Sequence, residues 1–126
     1  MNREALQPAG IARPKAPYSP VVVSGDLVAT AGQVAFGEDG ELVGETMEAQ
    51  ARQVFENLSR CLAAAGCTLA DVVKVTTFLS DLGEFDAYNA SYERYFSPPY
   101  PARTTVQAGL APGLLIEVEA LARKPS

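Results

Sequence analysis

The chain has 126 residues and no histidine, which excludes Ser-His-Asp and Cys-His nucleophile systems and any imidazole base acting near neutral pH. Ten Lys and Arg against fifteen Asp and Glu give a net charge of −5, the opposite of a nucleic-acid binder's basic footprint. The length, with 48% hydrophobic and 20% charged residues, suits one globular domain of ordinary composition.

Residues 1–17 read as an arm, rich in Pro and Ala and without a period, that runs over the surface or onto a neighbouring subunit. The first thirty residues hold no long apolar run, and Pro8, Pro14, Pro17 and Pro20 interrupt them. Neither a signal peptide nor a membrane span is expected there. Residues 20–23 and 27–31 are short strand candidates around the turn signal Ser24-Gly25-Asp26. Gly32-Gln33-Val34 follows, then a polar loop over 37–41.

Residues 47–65 form the main predicted helix. Ala51, Val54, Phe55, Leu58, Cys61, Leu62 and Ala65 give it one apolar face, Thr46 is the expected N-cap and Gly66 the expected C′ residue. Cys61 and Cys67 flank the helix end without histidine partners, so no zinc site is expected. With no disulfide framework, a reducing cytoplasm is the default. Residues 72–79, rich in β-branched side chains, read as a buried central strand.

Asp81 with Glu84 makes a capping-box pattern for a second helix, which carries Phe85, Tyr88, Tyr92, Tyr95 and Phe96 and stops before Pro98-Pro99. Residues 102–108 and 115–122 are the last strands. The order β-β-α-β-α-β-β implies an α+β domain, a mixed sheet with both helices on one face.

The last two strands carry the most informative polar residues. Alternation puts Arg103, Thr105 and Gln107 on one face, and turns Glu117 and Glu119 away from Ile116, Val118 and Ala120. The plain reading is a solvated sheet face with ion pairs. The sharper one has the helix-free face meeting other subunits, with Arg103 and one glutamate lining a cleft. A guanidinium grips a carboxylate with two parallel hydrogen bonds, and a half-buried glutamate can orient water or relay a proton. Such a pair suits a small carboxylic acid with a reactive centre beside its carboxylate.

Other candidates are weaker. Tyr18 either covers a ligand or anchors the arm by packing. Gly32 permits a close backbone approach. Asn89, mid-helix, is expected to hydrogen-bond to a neighbouring loop. The tyrosines of the second helix read as core and rim rather than a stacking platform. The chain has no GxGxxG, Walker loop, HExxH or CxxC.

Several stretches together resemble the RidA/YjgF family of enamine/imine deaminases. They are Gly32-Gln33-Val34, the run from Ala49 to Leu58, Val73-Lys74-Val75-Thr76-Thr77-Phe78-Leu79, Phe85-Asp86-Ala87-Tyr88-Asn89, Tyr92-Glu93-Arg94-Tyr95-Phe96, Pro101-Ala102-Arg103-Thr104 and Ile116-Glu117-Val118-Glu119-Ala120. The resemblance implies a fold similar to Bacillus-type chorismate mutase and a homotrimer whose sheets form a central barrel with clefts between subunits. It implies hydrolysis of 2-aminoacrylate or 2-aminocrotonate to 2-oxo acids and ammonia. No cofactor or metal is expected, and the net charge and lack of a long apolar run point to no nucleic-acid or membrane partner.

Carried over by position, Arg103 holds the substrate carboxylate and Glu117 positions or activates water. Tyr18 stands at the cleft mouth, Asn89 matches the helix asparagine, and Gly32 lies in the loop beside the pocket. Thr105 stands where the family often has cysteine, and Ala31 where it often has serine. The rivals are a mutase or pathway-specific aminoacrylate deaminase on the same scaffold, a chaperone-like metabolite-binding protein, and an RNA-cleaving enzyme. A mutase needs several cations for its dicarboxylate, and charge and the missing histidine count against RNA cleavage.

Overall fold

A computed structural model describes residues 2–126. The strands are β1 (Glu4–Leu6), β2 (Val21–Ser24), β3 (Leu27–Thr30), β4 (Val72–Leu79), β5 (Ala102–Gln107) and β6 (Ile116–Arg123). The helices are α1 (Met47–Ala64) and α2 (Phe85–Tyr92). The six strands form one sheet in the order β1-β2-β3-β6-β4-β5.

The connections explain why both helices share a face. β4 and β5 are parallel neighbours joined through α2. β3 and β4 are both antiparallel to β6, hence parallel to each other, and are joined through α1. Both crossovers step in the same direction along the sheet, and right-handed crossovers then place both helices on one side. β6 enters last, antiparallel, between β3 and β4.

α1 follows its sequence signals. Thr46 caps it by accepting from the Ala49 N–H at 3.1 Å. Gly66, at φ +78°, ends it, and the Cys67 N–H returns to the Leu62 carbonyl at 2.9 Å. Val54, Phe55, Leu58, Cys61 and Leu62 are fully buried on the sheet. Each large apolar side chain buried this way contributes roughly 1.5–3 kcal/mol. Gln50 and Asn57, seven residues apart on the same stripe, are buried too. Gln50 donates to the Gly44 and Gly113 carbonyls and accepts from the Leu115 N–H, which pins the loops before α1 and β6.

Three expectations need correction. The arm contains β1, which pairs antiparallel with β2, so the sheet has six strands rather than five. A strand of three residues is too short to show a period. Asp81 accepts only from the Gly83 N–H and opens a 3-10 turn over Leu82–Glu84, and α2 begins after it without a capping box. α2 ends at Tyr92, well before Pro98.

Among the described residues, no helix is long and apolar enough to cross a membrane, and no group of His, Cys, Asp and Glu is arranged to hold a metal ion. Both cysteines are buried free thiols, and burial pushes the Cys61 thiol up to about 12.

Candidate functional site

The sheet register places Arg103. In the parallel β4–β5 pair, Arg103 is opposite Val75, Thr105 opposite Thr77 and Gln107 opposite Leu79. Val75, Thr77 and Leu79 are fully buried beneath the helices. Arg103 and Thr105 therefore point to the helix-bearing face. The expectation of an Arg103–glutamate cleft on the helix-free face does not hold within one chain.

α2 receives the guanidinium. Arg103 Nη2 donates to Asn89 Oδ1 at 2.8 Å. Its central carbon lies 4.7 Å from the Tyr92 ring centre, 5.2 Å from Tyr88 and 5.7 Å from Phe85. Aromatic faces attract a cation without neutralising it. No carboxylate lies within ion-pair distance of Arg103 among the described residues. A cavity of about 250 Å³ opens here, lined by Asn89, Tyr92, Glu93, Tyr100, Pro101 and Arg103. The tyrosines of α2 are thus core residues, as their spacing suggests, and also a platform for a cation. Asn89 bonds a strand side chain rather than a loop.

Glu117 lies elsewhere. It pairs with Phe78 across β4–β6, one position out of phase with Thr77 and Leu79, and so points to the face opposite Arg103. Its side chain fills the space beside Gly32, where a Cβ would stand 2.9 Å from the Glu117 carboxyl carbon. Gly32 is there because no side chain fits. Gln33 locks this crossing: its N–H donates to the Val118 carbonyl at 2.7 Å, and the Val118 N–H returns the bond at 3.0 Å.

A second cavity, of about 280 Å³, is lined among others by Tyr18, Gly32, Gln33 and Asn57. Tyr18 is 57% exposed at its edge. Ala31 is absent from the lining, and its N–H pairs with the Pro20 carbonyl. Thr105 lines neither cavity, and its buried hydroxyl has no hydrogen-bond partner.

The ionisation states follow the surroundings. Burial, then the like charge of Glu119, raises the Glu117 carboxyl above the usual glutamate range. Burial also pushes the Tyr88 hydroxyl up to about 12, against the opposing pull of its hydrogen bond to Thr77 and of the Arg103 charge. Tyr88 is therefore a neutral hydrogen-bonding group at physiological pH.

The candidate residues thus fall into two separate groups. Arg103 and Asn89 meet, with Thr105 on the same strand. Tyr18, Gly32 and Glu117 gather on another part of the molecule. Sequence reading missed Asn57, whose Nδ2 group donates to the Val34 and Phe36 carbonyls and shapes the loop around the second cavity. Its signal was a polar residue seven positions after Gln50 on an apolar stripe. It also missed Arg13 and Lys15, which line that cavity from the arm.

Residues 10–124 match the family model described as Endoribonuclease L-PSP. The chain is 38% identical to a RutC family protein of Pyrococcus horikoshii over 124 residues, covering 97% of this chain and 98% of the relative. It is 39% identical over 110 residues to the 2-iminobutanoate/2-iminopropanoate deaminase of Salmonella typhimurium, covering 84% of this chain and 86% of that one. The crystal structure of RidA from an Antarctic Psychrobacter superposes with a TM-score of 0.89 at 37% identity, over 95% of this chain and 98% of that one. With its sequence matched almost end to end and its fold shared, this chain belongs to the RidA/YjgF family.

Proposed function

We propose that this protein hydrolyses small 2-imino and 2-enamino acids, such as those derived from 2-aminoacrylate and 2-aminocrotonate, to 2-oxo acids and ammonia. The observation that carries the reading is Arg103. It is a permanent cation on an aromatic platform, tied on one side to Asn89 and lacking an anionic partner among the described residues. A guanidinium has five N–H donors, so one bond to Asn89 leaves a fork for a substrate carboxylate.

The enamine first tautomerises to the imine. With the carboxylate on Arg103, the imine carbon is held in place. Water attacks that carbon while Glu117 takes a water proton. That proton passes to the imine nitrogen to give a carbinolamine; its hydroxyl proton then moves to nitrogen, the C–N bond breaks, ammonia leaves and the C=O bond forms. A glutamate raised by burial is a stronger base than an ordinary one and suits this step. The path asks little of the protein because the substrate already reacts with water, which fits a chain without histidine.

Arg103 and Glu117 lie on opposite faces of one sheet. The proposal therefore includes more than one copy, taken as the homotrimer that the family resemblance implies, with the Arg103 group of one copy closing on the Gly32–Glu117 group of the next. The name of the Salmonella relative supports the reaction. RNA cleavage, the activity in the family model's description, gains nothing from a chain of charge −5 without histidine.

The test couples the purified protein to a threonine or serine dehydratase and follows 2-oxo acid formation. Acceleration is expected, with loss in Arg103→Ala. No acceleration contradicts the proposal, and ligand binding without turnover favours a metabolite-binding protein instead.

A further inference from the structure

We infer that the cavity beside Tyr18 and Gly32 is an anion recess that selects 2-imino acids carrying a second, side-chain carboxylate; this rests on the imine-hydrolase reading and narrows its substrate class.

The cavity has a built floor and two cations in its lining. Among the described residues, Arg13 and Lys15 are the only charged ones in its lining, although the chain carries fifteen acids and a net charge of −5. Neither makes an ion pair or a side-chain hydrogen bond among the described residues, where the ion pairs engage Arg52, Arg94 and Arg123 instead. Proline at positions 14 and 17 stiffens the segment that presents both cations.

The floor adds a buried donor. Gln33 is only 7% exposed and lines the cavity. Its Nε2 group spends one N–H on the Ala31 carbonyl at 3.3 Å, and a primary amide has a second. Asn57 beneath it is fully engaged, donating to Val34 and Phe36 and accepting from Gln53, so it holds the floor rather than the ligand.

Position ties the recess to the reaction. Gly32 forms part of its wall and also touches Glu117. Glu117 does not itself line the recess, so a substrate at Glu117 reaches Arg13 and Lys15 only with a side chain long enough to pass Gly32, as one ending in a second carboxylate would be. A volume of about 280 Å³ lies at the lower end of ligand pockets and suits a small acid rather than a nucleotide. The reaction is unchanged: water adds to the C=N carbon, ammonia leaves, and the second carboxylate stays intact.

The test compares two imines made in situ by amino-acid oxidases, one from glutamate and one from 2-aminobutyrate, with semicarbazide trapping as the readout. The parent is expected to favour the dicarboxylic imine in kcat/KM by about tenfold, the scale of one or two partly exposed charge contacts. The Arg13→Gln/Lys15→Gln double variant should abolish that preference, and ionic strength of about 0.3 M should shrink it. Titration with 2-oxoglutarate and 2-oxobutanoate gives an independent reading, since the double variant should weaken the first about tenfold more than the second. Hydrolysis of both imines at equal kcat/KM overturns the inference and leaves the imine-hydrolase reading standing. Hydrolysis of neither overturns both.

Discussion

Three aromatic rings and a neutral amide surround the Arg103 guanidinium, and no carboxylate pairs with it among the described residues. Glu117, also half-buried, pairs with no cation among the described residues, and burial together with Glu119 pushes its carboxyl toward the neutral form. One region is an anchored permanent charge built on α2 and β5. The other is a labile charge pressed against a glycine on the opposite face of the sheet. The difference matches the work each is proposed to do, since a carboxylate clamp must never titrate and a base must.

Removing the clamp has the largest expected effect. Arg103→Ala should lower kcat/KM by at least about a hundredfold, or ~3 kcal/mol, and Arg103→Lys should restore little because a point charge replaces a planar fork. Steady-state kinetics of both variants check this.

Changing the labile charge comes next. Glu117→Gln should lower kcat by roughly a hundredfold while altering KM far less, the pattern of a lost general base. The parent's kcat should fall as pH drops through the raised Glu117 value. Stability moves the other way. Between the ordinary glutamate range and that raised value, the folded chain binds more protons than the unfolded one, so stability declines as pH rises through this window. Glu117→Gln should remove that part of the slope, which thermal unfolding across acidic pH reads directly.

Gly32→Ala probes the close approach. The new Cβ would press on the Glu117 carboxyl, so melting should show a loss of about 1–3 kcal/mol from overpacking together with a reduced kcat. The smallest effect is expected at Asn89. Asn89→Ala removes one bond to a charged group and should raise KM about tenfold, with the guanidinium still held by its rings.

Much of the fold was readable because local signals and tertiary packing agree. Thr46, Gly66 and the apolar stripe of α1 predict a helix that is there, and the β-branched run after residue 71 predicts β4. β1 was not readable, since Glu4–Leu6 has no period and gains its pairing only from β2. The start of α2 was misread because Asp81 serves a 3-10 turn instead of a full capping box.

The candidate residues could be picked from the sequence, but their arrangement could not. Alternation put Arg103 and Thr105 together and set Glu117 apart from Ile116 and Val118. It could not say that β4 lies between the two strands, parallel to one and antiparallel to the other. That intervening strand fixes the relative faces of Arg103 and Glu117.

The central claim is that Arg103 and Glu117 act together only across two copies of the chain. Mixing subunits tests it most directly: Arg103→Ala and Glu117→Gln, each expected to keep about a hundredth of parental activity or less, are unfolded and refolded together in equal amounts. In a closed ring of randomly mixed subunits about one interface in four then pairs an intact Arg103 with an intact Glu117. The account predicts recovery of roughly a quarter of parental imine hydrolysis in the mixture, and a refolded mixture as inactive as its components would contradict it.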